Sequence, residues 1–126
     1  MFPSHDRLMA MDFNIPVVVL AQLNRESEKT ATKKPQLHNL RESGAIEQDA
    51  DGVIFLHRDW KSGILQDEHG NSTERQADLI VAKWRNGETP EVKIGFDPPK
   101  MRFYDIRKEE RFFNQQQSGW KPYKEN

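Results

Sequence analysis

The run Ile15-Pro16-Val17-Val18-Val19-Leu20-Ala21 restricts the choice of fold more than any other stretch of this sequence. β-branched and apolar side chains without alternation suit a strand covered on both faces, as in a parallel α/β sheet. Pro16 is acceptable because it opens the strand, where its missing N–H breaks no ladder. The run ends in Gln22-Leu23-Asn24-Arg25. Polar residues at the carboxyl end of a parallel strand are where open α/β sheets hold ligands, which makes Gln22 a candidate site residue. The simpler reading is that Gln22 only satisfies loop backbone.

The other elements follow from local signals. Ser4 is placed to cap a short helix from about His5 to Phe13, with Leu8, Met9, Met11 and Phe13 as its apolar positions and Asn14 as its stop. Val53-Ile54-Phe55-Leu56 reads as a second buried strand, and residues 77–84 as a third, centred on Leu79, Ile80, Val81 and Ala82. Asn86-Gly87 then predicts a two-residue type I′ turn with positive φ at both positions. Glu91-Val92-Lys93-Ile94-Gly95-Phe96 alternates as a half-exposed antiparallel partner should. Such a hairpin holds Lys83 and Arg85 outward on a stiff tip. Pro98-Pro99 ends the strand, and Met101-Arg102-Phe103-Tyr104 fits a short edge strand. Residues 61–76 read as a polar, flexible excursion. Beyond 105 the chain is rich in Lys, Glu, Gln and Asn, which predicts a short helix near 108–114 and then a disordered tail. The expected division is 1–104 and 105–126.

One segment is unusual in its chemistry. Leu40-Arg41-Glu42-Ser43-Gly44-Ala45-Ile46-Glu47-Gln48-Asp49-Ala50-Asp51 mixes an arginine, four acids and a glutamine around a glycine. Asn39-Leu40-Arg41-Glu42 has the form of a capping box, so a helix is expected with Leu40, Ile46 and Ala50 near one face. Glycine inside a helix costs about 1 kcal/mol relative to alanine. Gly44 therefore either admits the close approach of another group, such as a phosphate backbone, or is a tolerated glycine in an ordinary amphipathic helix. Just before it, 25–41 carries five basic residues (Arg25, Lys29, Lys33, Lys34, Arg41) against two acidic (Glu26, Glu28). A basic loop of this kind is compatible with phosphate contacts, although most such runs are solvated loops.

Composition sets bounds. A chain of 126 residues suits one small domain with a core. Charged residues at 31% and a mean hydropathy of -0.91 leave room for long solvated loops. The formal net charge of -1 supplies no global field for nucleic acid, so any such binding must be local. The absence of cysteine excludes disulfides, thiol catalysis and Cys-type zinc sites. No apolar run approaches a membrane span and no signal peptide opens the sequence, so a cytoplasmic location without membrane contact is expected. The sequence contains no phosphate loop, nucleophile elbow or zinc helix. His57 lacks companions at ligand spacing and is expected to be structural; no metal site is expected. No complete catalytic set is present.

Three segments in order nevertheless resemble one family. Asn14-Ile15-Pro16-Val17-Val18 running to Gln22-Leu23-Asn24-Arg25 resembles the third helicase motif of bacterial replicative DNA helicases of the DnaB type. The segment 40–51 resembles that family's fourth motif almost letter for letter, and Lys83-Trp84-Arg85-Asn86-Gly87 resembles its arginine-finger hairpin. The resemblance covers about residues 8–104.

It implies a partial RecA-like (P-loop NTPase) α/β sheet, with parallel strands plus a C-terminal antiparallel hairpin and without the phosphate-loop strands. The parent would be a homo-hexameric, ATP-dependent helicase that unwinds duplex DNA by moving on single-stranded DNA, with primase and a helicase loader as partners. Gln22 matches the γ-phosphate sensor, and Lys83 and Arg85 match residues that reach the neighbouring subunit's ATP. Arg25, Lys33 and Lys34 fall in the DNA-binding loop, and Arg41, Glu42 and Gly44 match positions near the DNA backbone. Trp84 departs from the family's usual Gln or His, which predicts a local packing change. The chain is expected to be the C-terminal part of such a motor domain, inactive and without bound ATP or Mg²⁺ when alone, and prone to self-association through exposed strand edges. The alternatives are a non-enzymatic single-stranded nucleic-acid-binding module and a piece of another RecA-like ATPase.

Overall fold

The structure is a computed structural model that describes residues 4–23, 34–43 and 45–108. Its first helix, α1 (His5–Phe13), is closed at both ends as its sequence predicts. The Ser4 side chain accepts the N–H of Arg7, and Asn14 turns into the left-handed region at φ 52°, its N–H bonding the Ala10 carbonyl. Left-handed backbone suits Asn because its short side chain bonds locally. None of the α1 residues is buried.

The centre of the fold is a four-stranded sheet in the order β1 (Gly52–His57), β2 (Gln76–Trp84), β3 (Glu91–Asp97), β4 (Arg102–Tyr104). Every neighbouring pair is antiparallel. The parallel strands expected from 15–21 are not there. That segment has no regular secondary structure and joins no ladder, with Val18 87% and Leu20 94% exposed. An apolar run has the composition of a buried strand, but a strand exists only where a neighbour accepts and donates its backbone hydrogen bonds.

β1 corrects a second expectation. It alternates, with Val53, Phe55 and His57 buried and Ile54 and Leu56 more than half exposed, so one face is covered and the other open. Val53 pairs with Lys83 and Ile54 with Val81, which leaves Ala82 as an extra residue on β2, a bulge that bends the pair. The covered face holds the core: Leu40, Val53 and Phe55, with Leu23, Leu37, Ala50, Ile80 and Ala82 packed around them.

The single capped helix expected from Asn39 onward is in fact two pieces. A 3₁₀ helix spans Leu37–Ser43 and a short helix α2 spans Ala45–Asp49; Gly44 between them lies outside the described residues. Asn39 does not cap. It is buried within the 3₁₀ helix, where its Oδ1 accepts the Gln36 N–H at 2.7 Å and its own N–H bonds the Gln36 carbonyl at 2.9 Å. This reciprocal pair satisfies a buried amide more completely than a single capping bond would, and it seats Leu40 in the core.

The hairpin tip also differs. Asn86 and Gly87 are not among the positive-φ residues, so the turn is not type I′. β2 pairs with β3 only as far as Ile80 with Glu91 and continues to Trp84 alongside β1. The connection therefore spans 85–90, longer than the two-residue loop for which primed turns are selected.

Residues 61–76 are ordered rather than a free excursion. Asp67 Oδ1 accepts the N–H groups of His69 and Asn71, each at 2.9 Å, and Oδ2 accepts Gln76 Nε2 at 2.9 Å. Thr73, fully buried, donates from its hydroxyl to the Ile64 carbonyl. At the carboxyl end residues 106–108 are helical; the rest of the predicted helix and tail lies outside the described residues.

Candidate functional site

The open end of β2 and the segment 47–51 meet. Lys83, at the bulge, sends its ammonium to the carbonyls of Glu47 at 2.8 Å and Gln48 at 3.1 Å, acceptors at the end of α2. Two residues on, Arg85 meets Asp51 twice. Its N–H donates to the Asp51 carbonyl at 2.8 Å and its Nη1 lies 2.6 Å from Asp51 Oδ1. The two basic residues of the hairpin are thus both fastened to the twelve-residue acidic segment.

Trp84, between them, makes different contacts. Its ring lies on Gly52 and Gly87: a Cβ at Gly52 would stand 2.6 Å from Cε3, and one at Gly87 2.6 Å from Cδ1. Only glycine allows backbone and ring so close at both places. The ring remains half exposed.

The same end of the acidic segment is also fastened to α1 and its cap. Asp49 accepts the Ser4 N–H on its carboxylate, and its carbonyl accepts Arg7 Nη1 at 3.3 Å. The Ser4 bond holds the Asp49 carboxyl below the usual carboxylate range. Sequence reasoning gave Glu47, Gln48, Asp49 and Asp51 no individual roles. The signal available was the carboxylate at 51, placed where a chain with basic residues at a strand end has need of a partner.

Lys34 lies elsewhere, on the sheet. Its ammonium pairs with Glu91 and stands 3.9 Å from Asp78 Oδ2, while Lys93 Nζ is 2.9 Å from Asp78 Oδ1. Burial works against the charged Lys34, but the Glu91 hydrogen bond and the carboxylates of Asp78, Glu91 and Asp59 outweigh it and raise its pKa. Asp78 itself is buried on β2. A lysine expected to face DNA is thus engaged with acids of its own chain. Gln22 is exposed beside Leu23, which packs on the core. Arg25, Lys33 and Gly44 lie outside the described residues, and of Arg41 and Glu42 only the backbone, within the 3₁₀ helix, is described. His57 is structural: buried, with Nε2 2.8 Å from Asp59 Oδ1, a carboxylate two positions away that the sequence reading passed over.

Among the described residues no three His, Asp or Glu side chains gather to hold a metal ion. No helix among them is long and apolar enough to cross a membrane.

Known structures share this fold. An ATPase domain of known structure aligns with 79% of the chain, using 33% of its own length, at TM-score 0.67 and 33% identity. A DnaB-like replicative helicase, solved in a study of its interactions with primase, aligns with 71% of the chain and 21% of its own length, at TM-score 0.61 and 36% identity. The fold is therefore that of part of a DnaB-like helicase ATPase domain. The family of DnaB-like helicase C-terminal domains matches residues 5–105, and the chain belongs to that family. The replicative DNA helicase DnaB of Leifsonia xyli subsp. xyli is 49% identical over 100 residues, 79% of this chain and 21% of that protein. The chain spans about a fifth of the length of the curated relatives it matches.

Proposed function

We propose that the chain is the C-terminal section of the motor of a hexameric, ATP-driven replicative DNA helicase, working in the cytoplasm on single-stranded DNA. On this reading Lys83 and Arg85 face ATP bound at the neighbouring subunit. The observation that carries it is the joining of two family-matching segments, 40–51 and 83–87, through Lys83–Glu47 and Arg85–Asp51. A cationic group brought in trans neutralises charge developing on the transferred phosphoryl group, which contributes roughly 10³–10⁵ in rate in related motors. The short span between Lys83 and Arg85, held at both ends, is a rigid mount of the kind such a group requires.

ATP and Mg²⁺ would be bound by a phosphate loop and acidic strand end that this sequence does not contain. Gln22 would sense the γ-phosphate, and Arg25, Lys33, Arg41, Glu42 and Gly44 would lie along the DNA. Lys34, paired with acids, would anchor the end of that loop rather than grip phosphate. Primase and a helicase loader would be partners of the assembled ring.

The test is ATP turnover by the intact hexamer with Arg85→Ala. A fall in kcat of at least about 10³-fold is expected. Hexamers mixing Arg85→Ala subunits with subunits disabled at the phosphate loop should regain turnover where an intact finger meets an intact loop. Unchanged kcat would sink the reading.

A further inference from the structure

Asp51 is 80% exposed, yet it holds Arg85 at two points. The main-chain bond to the Asp51 carbonyl fixes where residue 85 leaves the strand, and the carboxylate fixes which way its guanidinium goes. An exposed ion pair adds little to stability. Its effect here is on orientation: one carboxylate oxygen engages one guanidinium nitrogen, and a guanidinium has five N–H donors, so most remain free for another anion. With Arg85 43% exposed, those donors are accessible. Lys83 is treated similarly, with two backbone carbonyls engaging it from the α2 side.

We propose that Asp51 is a positioning residue for ATP hydrolysis, pre-aiming the Arg85 guanidinium at the phosphate without itself touching ATP. The proposal rests on the reading of Arg85 as the group supplied in trans. A long side chain that must find its geometry during the reaction loses orientational freedom at that moment; one held beforehand does not. The carboxylate is therefore expected to act on kcat rather than on the binding of ATP.

The experiment measures steady-state ATP hydrolysis by the intact hexamer carrying Asp51→Asn, Asp51→Glu, Arg85→Ala, or Asp51→Asn with Arg85→Ala. Asp51→Asn should lower kcat about tenfold with KM changed less than about twofold, Asp51→Glu should recover most of it, and the double variant should be no slower than Arg85→Ala alone. Wild-type kcat in Asp51→Asn, with Arg85→Ala inactive, overturns the positioning role and leaves the finger intact. Wild-type kcat in Arg85→Ala overturns the finger reading itself. A rise in KM at constant kcat also overturns the proposal, because it puts Asp51 in binding. Should Asp51→Asn lower the melting temperature, the double variant still decides: losses that multiply in full refute a shared route through Arg85.

Discussion

The Lys83 ammonium, on β2, donates to the backbone carbonyl of Glu47, on α2, at 2.8 Å. α2 has five residues, well short of the length at which a helix is stable alone, and its last carbonyls have no partners within it. A cation at that end satisfies them and complements the helix dipole. Lys83→Met is expected to cost about 1 kcal/mol in urea unfolding. It should also speed amide exchange at Ala50, whose N–H closes on Ile46. Lys83→Arg should keep most of both; unchanged exchange at Ala50 would show that α2 is held by packing alone.

Asp78 is the most consequential charge in the sheet. Its side chain is 2% exposed, and two lysines, Lys34 and Lys93, reach it from more open positions. Removing either lysine leaves the other, so each single change to Met should cost little. Removing both strands a buried carboxylate, a loss of about 3–5 kcal/mol. Chemical denaturation of the two single variants and the double should thus show strong non-additivity. Two single losses that simply add would mean the lysines act separately. The raised Lys34 pKa has its own sign: the stabilisation is full below the ordinary lysine value of 10.5 and is lost as pH climbs beyond it.

Acid should release the 64–76 connection late. Hydrogen bonds from Gln76, then Asn71, lower the Asp67 pKa from 3.8 to about 2. A carboxyl with a depressed folded pKa stabilises above its unfolded value and loses that contribution as pH falls toward its folded value. The window is pH 3.8 down to about 2. The amide signals of His69 and Asn71 should therefore titrate near the lower value, and in Gln76→Ala their midpoint should move up. A midpoint at the ordinary carboxyl value in the unaltered chain would contradict this.

What could be read in advance was local. Both caps of α1, the β2–β3 pairing and the edge strand at 102–104 follow from side chains acting within a few residues. The misreadings each needed a distant partner. Residues 15–21 have strand composition but no ladder neighbour. Asn39 had two local hydrogen bonds to choose between, and burial of Leu40 favours the one to Gln36. The ordering of 61–76 depends on Asp67 meeting Gln76 across a turn, and Glu47, Gln48 and Asp51 gain their roles only when the end of β2 brings Lys83 and Arg85 to them. Family resemblance identified the basic pair; only the fold shows what holds it.

The stack of Trp84 on Gly52 and Gly87 bears on how this hairpin can vary over time. A side chain added at 52 or 87 collides with the indole, whereas a smaller residue at 84 would free both glycines to change. The three positions are therefore expected to drift as one unit, tryptophan admitting only glycines beside it, while Lys83 and Arg85 on either side keep their own partners throughout.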